Sequence, residues 1–165
     1  MNVSQVVFII LSIVALAGAA GVVLARNLFK SALFLVLSFI GVAGFYVLLE
    51  AELLAMIQIL VYVGAIAILI IFAIMLSRRL TSPESSPWNE QWTGALLVAV
   101  ALFAVLIFVL LRVDWPVAQA PVPPEAISQL GQGLVSPDYY LLPFEVASVL
   151  LLVALVGAVI IAREQ

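Results

Sequence analysis

Five stretches of this chain carry no Asp, Glu, Lys, Arg or His: residues 1–25, 31–49, 53–77, 91–111 and 146–162. A helix needs about 20 apolar residues to cross the hydrocarbon of a bilayer. The last run reaches that length if it starts at Pro143. Lipid offers no water to backbone N–H and C=O groups, so runs of this length must bond internally as helices. The expected fold is an all-α integral membrane protein with five transmembrane helices, near 3–24, 29–49, 53–76, 93–111 and 143–162. Residues 1–165 then form a single membrane domain, with long loops at 77–92 and 113–142. Composition points the same way: 67% of the residues are hydrophobic and 9% charged, against about a quarter charged in soluble domains. The opening MNVSQ lacks the positive n-region of a cleavable signal, so the first run is taken as a retained span.

The six basic residues set an orientation. Arg26 and Lys30 flank the first connection, Arg78 and Arg79 begin the third, and Arg163 follows the last span. These five share one side if the spans alternate; Arg112 stands on the other. The positive-inside rule then places the N-terminus outside and the C-terminus in the cytoplasm. The loop at 77–92 is inner and that at 113–142 is outer. Within the outer loop, PPEAISQLGQGL predicts a short interfacial helix from Pro124, with Ile127, Leu130 and Leu134 on one face. Trp88 and Trp92 on the inner side, with Trp115, Tyr139 and Tyr140 on the outer, suit interfacial aromatic belts.

The chain has no Cys and no His. That removes the usual haem, iron–sulfur and zinc ligands. No basic cluster suggests nucleic acid. No acidic or basic group lies mid-span, which speaks against a pump, channel or transporter acting alone. No phosphate loop or nucleophile motif appears, so no catalytic centre is expected in this chain. Small residues recur instead: Ala17 and Gly21; Ser38, Gly41 and Gly44; Ala154 and Gly157. They let membrane helices approach closely, which points to partners in other membrane chains.

The third span holds the polar exceptions. Tyr62 lies ten residues past Glu52, which is ~15 Å and near the bilayer midplane. With an α-helical period, Ala55, Gln58, Tyr62 and Ala65 share one face, while Met56, Leu60, Val63 and Ala67 lie on others. The Gln58 amide and Tyr62 hydroxyl need partners in lipid. They can bond each other or a neighbour. Gly64 lowers helix preference by about 1 kcal/mol relative to Ala and tolerates a change of register. Two readings stand: a polar seam that joins two helices, or a segment that switches. On the fifth span, Glu145 follows Pro143 by two, which puts it in the expected first turn, where the helix dipole favours a carboxylate. It is a candidate interface or proton-path residue. Glu50 and Glu52 are expected to be solvated or interfacial.

Two segments resemble a known family. LLEAELLAMIQILVYVGAIAILIIFAIML closely resembles the third-helix region of the J subunit of respiratory complex I, called subunit 6 in mitochondria, with counterparts in plants and cyanobacteria. YYLLPFEVASVLLLVALVGAVIIAR is similar to that family's fifth helix and its entry. The resemblance implies a membrane-arm subunit of a proton-pumping NADH:quinone oxidoreductase in the cell inner (cytoplasmic) membrane. Flavin, iron–sulfur clusters and quinone would belong to the complex, and none to this chain. The partners implied are the K, A, H and N subunits and the lipid bilayer. In the family the third helix carries a π-bulge near a Tyr-x-Gly segment, thought to open and close a water path towards the K subunit. Carried over, that segment is Val61, Tyr62, Val63 and Gly64. The alternatives are a subunit of a related membrane-bound hydrogenase or cation/proton antiporter complex, or a stand-alone small transporter.

Overall fold

The structure is a computed structural model that describes residues 2–77, 91–114 and 123–163. It has five helices long and apolar enough to cross a membrane: Val3–Leu24, Leu28–Leu48, Glu52–Leu76, Trp92–Arg112 and Leu141–Ala162. They are called the first to fifth spans. Each begins and ends within about two residues of the expected bounds. Arg78, Arg79, Trp88 and Trp115 lie outside the described residues. Contacts along the chain cluster into two units, 1–118 and 119–165, described separately below.

In the first unit, the first three spans form a row. The first and second are joined by a short turn. Asn27 caps the second span: its side-chain oxygen accepts from the Phe29 N–H at 2.9 Å and the Lys30 N–H at 3.4 Å. That satisfies two of the four amide groups that a helix start leaves without partners. The two helices then run antiparallel with backbones in close approach. A Cβ on Gly18 would stand 2.6 Å from the Ser38 amide nitrogen, and one on Gly41 would stand 2.8 Å from the Ala15 Cβ. The Ser38 hydroxyl donates to the Ala15 carbonyl across the interface at 3.2 Å. At the far end, the Phe8 and Phe45 rings meet at a tilt, with centroids 5.5 Å apart. Small residues, one polar bond and ring packing thus replace the absent hydrophobic drive. Sequence spacing picked out Gly21 and Gly41 at this contact but overlooked Gly18. Around Gly157 of the fifth span, by contrast, the space where a Cβ would stand is open.

The turn between the second and third spans is tight. The Ala51 N–H bonds the Tyr46 carbonyl at 2.8 Å and the Glu50 N–H bonds the Val47 carbonyl at 3.0 Å. This pair of bonds is the Schellman helix stop, which needs a left-handed residue and usually takes Gly. Here that residue is Glu50, with φ of 58°. The fourth span, also in this unit, has no buried residue. Its terminal Arg112 lays its guanidinium over the Phe108 ring, 5.3 Å from the centroid, a cation–π contact that keeps the charge at the helix end.

The second unit holds a short helix, Ala126–Val135, and the fifth span. The short helix is the one expected in the outer loop. It begins two residues after Pro124, with the Ala126 N–H bonded to the Pro123 carbonyl at 3.0 Å. Tyr140 ties it to the fifth span: its N–H donates to the Gly133 carbonyl at 3.0 Å. The fifth span starts at Leu141, earlier than Pro143 suggested. Phe144 makes its first main-chain bond, to Tyr140 at 3.1 Å. Pro143 therefore lies in the first turn, where its missing N–H costs nothing.

Candidate functional site: a π-helical segment in the third span

The third span is not uniformly α-helical. Glu52–Ile57 is α, Gln58–Ile66 is π, and Ala67–Leu76 is α again. The stretch opens on α-type bonding, with the Gln58 N–H on the Leu54 and Ala55 carbonyls, and closes on a bond five residues back, from the Ala67 N–H to the Tyr62 carbonyl. π winding is rare and mostly limited to single-turn bulges, which often mark functional sites. Nine residues exceed one turn.

Gly64 sits inside this stretch. A Cβ there would stand 3.3 Å from the Ile59 carbonyl oxygen, five residues back. That is the same i→i+5 spacing that π winding creates. A side chain at 64 would need that carbonyl to give by a few tenths of an ångström.

The winding changes which side chains face the second span, the neighbour of the whole third span. Ala55 is 8% exposed, Gln58 7% and Ala67 1%. Tyr62 is 42% exposed, and Ala65 is exposed as well. This corrects the face expected from an α period, in which Tyr62 and Ala65 joined Gln58 and Ala67 lay elsewhere. The reason is geometric. Over the nine residues from Gln58 to Ala67 an α-helix makes about two and a half turns, which puts the two on opposite faces. A ladder of i→i+5 bonds winds more slowly and makes about two, which brings Ala67 under Gln58.

Val61, Tyr62, Val63 and Gly64 all lie in the π stretch. Val61 points outwards, and Val63 and Gly64 are half-buried. The Tyr62 ring meets Phe39 of the second span edge-on, with centroids 5.6 Å apart and planes at 79°. Sequence reasoning missed Phe39. It stands in a charge-free run with several other aromatics, and nothing local distinguishes it. Gln58 is the only buried polar side chain among the described residues.

Glu145 is elsewhere, exposed on the fifth span. No acidic residue lies in that helix's first turn. The expected dipole stabilisation does not apply, because Leu141 starts the helix and the effect fades beyond the first turn. The Ser148 hydroxyl donates to the Glu145 main-chain carbonyl at 2.7 Å and leaves the carboxylate untouched.

The family described as NADH-ubiquinone/plastoquinone oxidoreductase chain 6 matches residues 18–161, from the first span to the end of the fifth. The chain belongs to this family. Among its relatives, NAD(P)H-quinone oxidoreductase chain 6 of Leptolyngbya boryana is 43% identical over 99% of this chain and 82% of its own length. The Synechocystis sp. protein of the same name is 40% identical over 99% and 83%. The F(420)H(2) dehydrogenase subunit J of Methanosarcina mazei is 36% identical over 96% and 90%. The π segment, residues 58–66, thus lies inside the family match. As a chain 6 protein, it is a membrane subunit of a NAD(P)H-quinone oxidoreductase assembly.

Proposed function

We propose that this chain 6 subunit helps couple quinone reduction to proton translocation, and that its third span is the switching element. The observation that carries the proposal is the π stretch Gln58–Ile66 between two α segments. Two windings of one sequence bury different side chains. In the α register, Tyr62 is two turns from Ala55 and faces the second span with it. In the π register it turns aside and is 42% exposed. A change of register therefore swings a phenol hydroxyl through roughly a quarter turn at mid-membrane depth. It also rotates Ala67 and the residues beyond by about half a turn. A hydroxyl that moves in and out of a helix contact can complete or break a water path. The subunit would gate protons without itself carrying the charge.

The remaining assignments follow from the family resemblance. Five basic residues on one side favour an N-terminus outside and a C-terminus in the cytoplasm. The membrane is the cell's inner (cytoplasmic) membrane. The ionisable groups of the proton path sit on the K subunit, with the A, H and N subunits as further neighbours. Flavin, iron–sulfur clusters and the quinone site belong to other chains. Relatives named for NAD(P)H and for F(420)H(2) match along the same length. This supports an element common to assemblies with different electron inputs. Glu145 is exposed, and Ser148 bonds its main chain and not its carboxylate. It is proposed as a contact with a neighbouring subunit.

The test uses assembled complex in proteoliposomes. Gly64→Val should lower quinone reductase turnover and proton pumping, with oxidation of the donor by artificial acceptors retained. If turnover and the proton/electron ratio both match the parent, the switch reading fails.

A further inference from the structure

We propose that Phe39, on the second span, is a positioning residue that holds the third span in its π register. This rests on the reading that residues 58–66 can change register. Three observations carry it. First, Phe39 meets Tyr62 in edge-to-face geometry, at 5.6 Å and 79°, an arrangement that aromatic rings favour. Second, the contact belongs to one register. It is made with Tyr62 turned aside and 42% exposed. An α winding would swing that ring by roughly a quarter turn towards the second span. Third, Phe39 stands between two small buried residues of its helix face. Ala32 and Ala43 stand seven before it and four after it, on the same side of the helix, and both are buried. The Phe39 ring projects further than these two methyl groups, so an inward-turning Tyr62 would meet it.

The ring acts in both directions. In the π register its face or edge attracts Tyr62. In the α register it occupies the volume into which Tyr62 would turn. Phe39 does not touch a proton or quinone; it acts through Tyr62 alone.

The experiment is electron cryo-microscopy of the assembled complex, with images sorted by the register of residues 58–66. Phe39→Leu keeps an apolar side chain and removes the ring. The worth of an edge-to-face pair predicts a roughly two- to tenfold shift in the π:α ratio towards α. Phe39→Tyr restores a ring and should return the parent ratio. Tyr62→Phe keeps the pair and should leave the ratio unchanged. An unchanged register in Phe39→Leu overturns the proposal, even if turnover falls. If Phe39→Leu does not assemble, Tyr62→Leu removes the same contact from the other side and decides by the same readout. Quinone reductase turnover and proton/electron ratio, measured on the same samples, separate the two claims. A shifted register with parent-like coupling leaves Phe39 in its role and sinks the switch reading instead.

Discussion

Tyr62 divides its work between a ring and a hydroxyl, and the two can be separated. The ring packs on Phe39, while the hydroxyl is the group that a register change would move. Tyr62→Phe should therefore preserve assembly and register, yet lower turnover and pumping modestly, by less than Gly64→Val does; steady-state quinone reduction checks this. The separation of Tyr62 from the buried face of Gln58 was not legible in the sequence. An α period groups Ala55, Gln58, Tyr62 and Ala65, but that period fails once i→i+5 bonds begin. Gly64 was the available signal, since it tolerates both windings, but a glycine among aliphatic residues predicts close packing equally well. Glu50 offers a second residue-scale prediction. Its left-handed backbone, φ of 58°, strains any residue with a Cβ, by about 1–2 kcal/mol. Glu50→Gly should stabilise the turn by up to about 1 kcal/mol after the entropy that Gly loses on folding. Thermal unfolding of the solubilised complex would show a raised midpoint, and a lowered one would mean that the carboxylate has a role in the turn or its partner.

The spans themselves were legible because a bilayer imposes a length, and a charge-free run displays that length directly. Helix starts were less so. Pro143 suggested the start of the fifth span, but the first amide bond is made by Phe144 to Tyr140, so the helix begins before the proline and Glu145 falls past the first turn. The crossing of the first two spans was half legible. Gly41 was apparent from its spacing; Gly18 became apparent only when the second helix was seen to place the Ser38 backbone against it. Since that neighbour is backbone, it cannot yield as a flexible side chain does. Gly18→Val should cost about 1–3 kcal/mol by overpacking, and the yield of assembled complex should fall. Gly157→Ala, where the space is open within this chain, should be tolerated unless a neighbouring subunit fills it. Quantifying this chain in the purified complex compares the two.

At the scale of the whole molecule, large hydrophobic side chains are exposed along all five spans. The fourth and fifth spans bury no residue of their own. Orientation can be checked directly because the chain has no native cysteine. A cysteine at Ser77 should label only from the cytoplasmic side and one at Ser128 only from outside; reversed labelling would overturn the topology. In the proposed function, the π stretch of the third span couples quinone reduction to proton movement. Gly64→Ala tests it with the least disturbance. The added methyl stands 3.3 Å from the Ile59 carbonyl oxygen, so the π turn must yield slightly to hold it, and the register is expected to shift towards α. The decisive measurement is the quinone reductase turnover and proton/electron ratio of the assembled Gly64→Ala complex in proteoliposomes, beside donor oxidation by an artificial acceptor. Coupling through this segment predicts reduced turnover and pumping with donor oxidation unchanged. Parent values of both turnover and proton/electron ratio, in a complex whose third span has measurably shifted towards α, would contradict it.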